Sequence, residues 1–146
     1  MTLHELHIPS SRKNIHRVEE FFRTVNESYG LPDEKLHALL VAVTEAVNNG
    51  IIHGNRNDET KMVTVTCGRK GERLTVTVRD EGSGFDPSSV TDPLEEDNLL
   101  RTGGRGVFLM KAFMDGFEVR RLDPAGTEVV LVKNLAPRPD PNSGKS

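Results

Sequence analysis

The chain has 146 residues, 35% of them hydrophobic, and a mean hydropathy of −0.46, which is typical of one folded domain with a polar surface. Its formal net charge of −3 argues against non-specific nucleic-acid binding, which depends on a basic surface. The single cysteine, Cys67, excludes an intrachain disulfide and a cysteine metal cluster, and we expect this residue in the core.

The first part of the chain predicts a strand and two helices. Polar and apolar residues alternate up to Pro9, which indicates a short strand. Ser10 or Ser11 is placed to cap a helix that runs to about Ser28, and a second helix is expected over residues 32–53. Apolar residues at helical spacing predict the buried stripes, namely Ile15, Val18, Phe22 and Val25 in the first helix and Leu36, Leu39, Leu40, Val43, Val47 and Ile51 in the second.

The second part of the chain predicts two hairpins separated by a long connection and a helix. In chain order these are strands over 62–67 and 74–78, a connection over 80–105, a helix over 106–114, and strands over 117–122 and 127–132. Short turns between consecutive strands favour a mixed, mostly antiparallel sheet covered on one face by helices. This is a two-layer α/β sandwich of the α+β class.

The boundaries of the domain follow from composition. Residues 1–134 are expected to form one domain, and the residues 135–146, rich in Pro, Asn and Ser, a disordered tail. Residues 1–10 lack the apolar core of a signal peptide, and no stretch approaches the roughly 20 apolar residues that span a bilayer. We therefore expect a cytoplasmic protein that contacts no membrane.

One candidate site lies on the second predicted helix. Glu45 and Asn49 are four residues apart, so they share a face, and His53 extends the same line. A glutamate beside a cleft is suited to accept the proton of a hydroxyl, and an asparagine oxygen is suited to a Mg²⁺ shell. The alternative is a solvated helix face. Gly50 favours the functional interpretation, because a glycine inside a helix indicates a close approach to the backbone.

A second candidate site follows the strand over 74–78. Asp80 is placed to accept the amino proton of adenine, and Gly82 and Gly84, followed by Phe85, let the backbone approach a flat base. The alternative is an ordinary acidic turn, because a lone Asp-x-Gly-x-Gly pattern is common.

A third candidate site is the glycine run before the third predicted helix. Exposed amides of Gly103, Gly104 and Gly106 at a helix N-terminus are suited to bind phosphate, and Arg105 adds positive charge. The alternative is a hinge before a helix whose apolar residues, such as Phe108, lie in the core. The run lacks the Lys and Ser/Thr of a P-loop, and no strand leads straight into it as in a Rossmann turn.

Taken together, residues 44–54, 80–85 and 103–107 resemble the N-box, G1 and G2 motifs of the GHKL (Bergerat) ATP-binding superfamily. Within that superfamily the chain is most similar to the bacterial anti-sigma factors that are serine/threonine protein kinases. The likeness extends over nearly the whole chain and includes Thr127, which resembles the threonine on the adenine side of the pocket. The resemblance implies the Bergerat fold, with residues 86–102 as a lid over ATP.

The resemblance also implies roles for individual residues. Glu45 would be the catalytic base, Asn49 the Mg²⁺ ligand, and Asp80 the group that reads adenine. The other residues implied to line the nucleotide and phosphate site are His53, Gly82, Gly84, Phe85, Gly103, Gly104, Arg105, Gly106, Val107 and Thr127. Asn48 and Gly50 depart from the Thr and Ala that are common at these positions in the family.

The function implied is that of a partner-switching protein kinase. Such a protein uses ATP and Mg²⁺, binds a sigma factor, and phosphorylates a STAS-type anti-anti-sigma factor on serine. A homodimer and no direct contact with nucleic acid are expected. One alternative is a non-catalytic ATP-binding regulator that acts by sequestration. A histidine-kinase catalytic domain is disfavoured, because no phosphoacceptor hairpin precedes the domain and no Phe lies between Phe85 and Phe108.

Overall fold

The computed structural model describes residues 3–82 and 108–135, which form a sheet with helices packed on one face. The strands are β1 (Leu3–Pro9), β2 (Met62–Lys70), β3 (Arg73–Arg79), β4 (Gly116–Arg121) and β5 (Thr127–Asn134). They lie in the order β1-β2-β3-β5-β4, and each of the adjacent pairs is antiparallel. The predicted α+β sandwich is confirmed, and the sheet of the described residues is antiparallel throughout rather than mixed.

The helices come from the segments that the periodicity predicted. They are α1 (Ile15–Tyr29), preceded by a 3₁₀ turn (Arg12–Asn14), and α2 (Asp33–Asn49), followed by a π-helical turn (Gly50–Gly54). The described part of a third helix, α3, covers residues 108–113. No helix in the described ranges is long and apolar enough to cross a membrane. The predicted lid over 86–102 and residues 136–146 of the predicted tail lie outside those ranges. Leu135, predicted as the first residue of the tail, is instead buried, and its backbone N–H donates to the Glu72 carbonyl at 2.7 Å.

The core lies between the helices and one face of the sheet. Each predicted stripe residue of α1 and α2 is buried or packs against the buried cluster, which confirms the helical spacing. The sheet contributes alternate residues, because successive side chains in a strand point to opposite faces. Those buried on β2 and β3 are Val63, Val65, Cys67, Leu74, Val76 and Val78. Burial raises the pKa of the Cys67 thiol to about 11, so this core residue remains a protonated thiol at neutral pH.

The predicted serine cap of the first helix is wrong. Ser10 is fully buried, and its Oγ donates a hydrogen bond to the Lys61 carbonyl at 2.6 Å instead of accepting one from the helix. Ser11 precedes the 3₁₀ turn but makes no capping hydrogen bond with its side chain. A tertiary partner has therefore displaced the local interaction that the sequence suggests.

The end of α2 differs from the predicted regular helix. The backbone N–H of Asn55 donates to the Gly50 carbonyl at 2.7 Å, so the last turn is wider than an α-helical turn. A Cβ added to Gly50 would lie 3.5 Å from Val63 and 3.6 Å from the Cβ of Asp80, which are ordinary contacts. Among the described residues, the close approach that Gly50 suggested is therefore not found.

Replacing Gly50 with alanine should stabilise the protein. Gly50 has helical dihedral angles (φ −63°, ψ −42°), so an alanine fits without strain and lowers the entropy of the unfolded chain. We expect the free energy of unfolding to rise by about 0.5–1 kcal/mol in urea denaturation. Gly71→Ala is the matched control, since Gly71 has φ +59° in open space and the substitution should destabilise. A destabilised Gly50→Ala variant would contradict this account.

Candidate nucleotide-binding site

The Asp80 carboxylate lies at the centre of the candidate site. Asp80 directly follows β3, is 8% exposed, and pairs with the start of β5 through its backbone N–H, which donates to the Thr127 carbonyl at 3.0 Å. Its Oδ1 accepts hydrogen bonds from the backbone N–H groups of Thr127 (3.1 Å) and Gly82 (3.0 Å). The side chain is therefore held by the ends of two neighbouring strands.

Burial dominates the electrostatics of this carboxylate. Desolvation raises the pKa of Asp80 above its ordinary value, although the N–H groups of Gly82 and Thr127, and more weakly the charge of Lys61, act in the opposite direction. The hydrogen bonds from the backbone N–H groups of Gly82 and Thr127 both go to Oδ1. A ligand that offers another N–H donor would stabilise the ionised form, and the exocyclic amino group of adenine is such a donor.

Glycine backbones pack directly against Asp80. A Cβ added to Gly54 would lie 2.2 Å from Asp80 Oδ2, and one added to Gly82 would lie 2.1 Å from the Gly54 carbonyl. Gly126 has φ +104°, and its Cβ would lie 2.3 Å from the Asp80 carbonyl. Only glycine fits this arrangement, which brings the π-helical turn, the segment after β3 and the β4–β5 turn into contact.

Two of these glycines were missed as site residues when the sequence was read alone. Gly54 ends the Ile-Ile-His-Gly run and Gly126 directly precedes Thr127, so both are adjacent to residues that the sequence predicts for the site. Neither carries a functional group, and their importance depends on the distance to Asp80. Only Gly82 was recognised from its position in the Asp-x-Gly pattern.

The helix that carries Glu45 and Asn49 ends beside this group. Glu45 and Asn49 are both half-buried and lie one α-helical turn apart, since the backbone is still regular at Asn49 (φ −62°, ψ −40°). The next residue, Gly50, packs against Asp80. His53 lies in the π-helical turn, where one turn takes more residues than in an α-helix. It is therefore not directly in line with Asn49, and its side chain is exposed.

Gly84, Phe85 and residues 103–107 lie outside the described ranges. Phe108, on helix α3, was expected in the core. Phe108 is 68% exposed, and Met110 and Met114 are the residues that α3 and its end bury.

Comparisons with known proteins identify the family of the chain. The histidine kinase-like ATPase domain matches residues 8–133. An anti-sigma F factor of Clostridium perfringens is 34% identical over 104 residues, which cover 70% of this chain and 74% of the relative. The serine-protein kinase RsbW of Bacillus subtilis is 29% identical over 143 residues, which cover 90% of this chain and 84% of the relative.

A solved structure shows the same fold. It contains the RsbU and RsbW domains of Rv1364c from Mycobacterium tuberculosis, and the superposition has a TM-score of 0.68 at 15% sequence identity. The match covers 92% of this chain but spans only 32% of the solved one. The chain therefore belongs to the histidine kinase-like ATPase domain family and, within it, to the group of the anti-sigma factor kinases.

Proposed function

We propose that the chain is a cytoplasmic serine/threonine protein kinase that uses ATP and Mg²⁺ in a partner-switching system. It would bind a sigma factor, phosphorylate a STAS-type anti-anti-sigma factor on serine, and act as a homodimer. The relatives named as an anti-sigma factor and a serine-protein kinase support this proposal. The single observation that carries it is the buried Asp80 carboxylate, held by Thr127 and Gly82 against the end of the helix that bears Glu45 and Asn49.

Adenine recognition would depend on Asp80. Its carboxylate accepts the exocyclic amino proton of adenine, whereas guanine presents a carbonyl oxygen at that position and would be repelled. Thr127 is half-buried beside it and assists through its hydroxyl or a water molecule. The glycine backbones at 54 and 82 keep side chains away from the carboxylate, which would let a flat base approach it.

The phosphate and metal part of the proposal rests on fewer residues. The amide oxygen of Asn49 suits a hard cation such as Mg²⁺, which usually keeps water and phosphate oxygens as its other ligands. Within residues 3–82 and 108–135, no group of three or more His, Cys, Asp or Glu could hold a metal by itself. Asn49 and the phosphate oxygens of a bound nucleotide would supply the ligands of such a metal. Residues 103–107, Gly84 and Phe85 are also predicted to line the nucleotide and phosphate site, and the exposed His53 is predicted to lie at its edge.

The chemical step would use Glu45 as a general base. Its carboxylate accepts the proton of the partner's serine hydroxyl as the serine oxygen bonds to the γ-phosphorus and the bond to the departing ADP breaks. Mg²⁺, when bound, would neutralise charge on the phosphates. Glu45 is half-buried one turn before Asn49, so the base and the metal ligand share one helix face.

Replacing Glu45 tests this role. Glu45→Ala and Glu45→Gln remove the proton acceptor and leave Asp80 and Asn49 in place. We expect serine phosphorylation of the STAS partner to fall by about 10²–10⁴-fold while ATP affinity is unchanged. Transfer from γ-labelled ATP and equilibrium nucleotide binding measure the two quantities.

The same assay separates the alternatives. A wild-type transfer rate in either Glu45 variant would show that Glu45 is not the base. If the unaltered protein binds ATP and the partner but transfers no phosphate, a non-catalytic sequestering regulator is the better description. Label on histidine instead of serine would favour a histidine-kinase domain.

Replacing Asp80 with asparagine tests adenine recognition. The amide keeps the shape of the side chain but loses the charge that accepts the adenine amino proton. We expect ATP affinity to fall by about 10–100-fold in isothermal titration calorimetry. Asp123→Asn is the matched control, because Asp123 is exposed on the turn before Thr127 and should change affinity by less than about twofold. Equal affinities for all three proteins would remove Asp80 from the site.

The Asp80→Asn variant should also be more stable than the parent when no nucleotide is present. Since burial raises the pKa of Asp80 in the folded state, the ionised side chain destabilises the fold above that raised value. This destabilisation disappears as the pH falls below the unfolded value of about 3.9. We expect urea denaturation to show a stability gain at neutral pH that shrinks on acidification. A variant less stable than the parent at neutral pH would contradict this.

A further inference from the structure

A buried asparagine outside the predicted site uses its whole side-chain amide. Asn55 is 2% exposed, and its Nδ2 donates to Ser10 Oγ at 2.7 Å and to the Met62 carbonyl at 3.0 Å. Its Oδ1 accepts the backbone N–H of Glu81 at 2.8 Å. These partners fix the orientation of the amide, because a carbonyl requires the NH₂ end and an N–H requires the oxygen end.

The partners of Asn55 come from three separate parts of the chain. Ser10 follows β1, Met62 begins β2, and Glu81 is the residue directly after Asp80. The carboxylate of Glu81 also accepts the backbone N–H of Met62, so Glu81 is held at its backbone and at its side chain. One amide group therefore links the starts and ends of strands that surround the candidate site.

Asp80 is consequently fixed from both sides. On one side its backbone N–H and its carboxylate bond to Thr127. On the other side the next peptide N–H, that of Glu81, bonds to Asn55. Asn55 also directly follows Gly54, whose backbone lies against Asp80 Oδ2. A shift of Asn55 would thus move the Gly54 backbone, which packs against the Asp80 carboxylate, and also the Glu81 peptide, which directly follows Asp80.

We propose that Asn55 is a positioning residue for adenine recognition, which holds the peptide after Asp80 so that the carboxylate meets the exocyclic amino group of the base. This inference rests on the proposed function, because it assigns Asp80 to adenine. Asn55 acts through Asp80 and contacts no nucleotide. It is a buried polar residue whose amide N–H groups and amide oxygen are all hydrogen-bonded, and such networks specify a single geometry.

The test compares two variants with two nucleotides. Asn55→Ala removes the acceptor for Glu81, whereas the control Ser10→Ala removes hydrogen bonds of the same network that do not touch Glu81 or Asp80. The nucleotides are ATP and purine riboside triphosphate, which lacks the 6-amino group. Dissociation constants are measured by calorimetry with Mg²⁺ at a temperature where thermal unfolding shows each variant to be folded.

We expect Asn55→Ala to weaken ATP binding by about tenfold and to change binding of the amine-free nucleotide by less than about twofold. Ser10→Ala should change both constants by less than about twofold, even where it lowers the melting temperature. With the STAS partner present, Asn55→Ala should raise KM for ATP and leave kcat near the parent value, because Glu45 is untouched.

Other results would overturn the proposal. Equal losses for both nucleotides, or an equal loss of ATP affinity in Ser10→Ala, would make Asn55 a structural residue only. If Asn55→Ala does not fold, Asn55→Ser supplies a hydroxyl at the position of the Asn Cγ, one bond short of the Oδ1 that binds Glu81, and must show the same selective loss. If Asp80→Asn binds ATP normally, Asp80 does not recognise adenine, and both the proposed function of Asp80 and the role of Asn55 are wrong. If Asp80→Asn is impaired and neither Asn55 variant is, only the positioning role fails.

Discussion

The site depends on how the chain buries one carboxylate. Asp80 is enclosed by the ends of β3 and β5 and by the π-helical turn, and the backbone N–H groups of Gly82 and Thr127 meet it. Those hydrogen bonds do not offset the desolvation, since the pKa of Asp80 remains raised. A folded protein maintains such a group only where the surrounding structure fixes it, and carboxylates with perturbed pKa values cluster at functional sites.

The π-helical turn connects this carboxylate to the residues proposed for the chemistry. α2 carries Glu45 and Asn49 on a regular face and then widens, so the backbone of Gly54 reaches Asp80. Widened turns inside helices are frequent at functional sites because they move the following residues off the regular helical path. Asn55 then secures the end of the turn to two strands. Glu45, Asn49 and the glycine that packs against Asp80 therefore lie on one continuous piece of backbone.

The environment that the sequence pattern predicts for a residue can differ from the one that tertiary packing gives it, as it does at Ser10 and Phe108. Ser10 resembles a helix cap in the sequence, yet its hydroxyl is buried against Lys61 and Asn55. Phe108 resembles a core residue and is exposed, whereas Met110 fills the core. Burying Ser10 is favourable because both its donor and its acceptor functions are used, which a capping pattern along the sequence does not reveal.

The sequence by itself determined the order of the elements, the buried stripes of both long helices, the antiparallel pairing and the positions of Glu45, Asn49 and Asp80. These features follow from periodicity and residue chemistry, which act over a few neighbouring positions. The tertiary structure decided that Gly54 and Gly126 pack against Asp80 and that Asn55 accepts a hydrogen bond from the residue that follows Asp80. Their roles arise from distances between residues far apart in the chain, and such distances exist only after the sheet has formed.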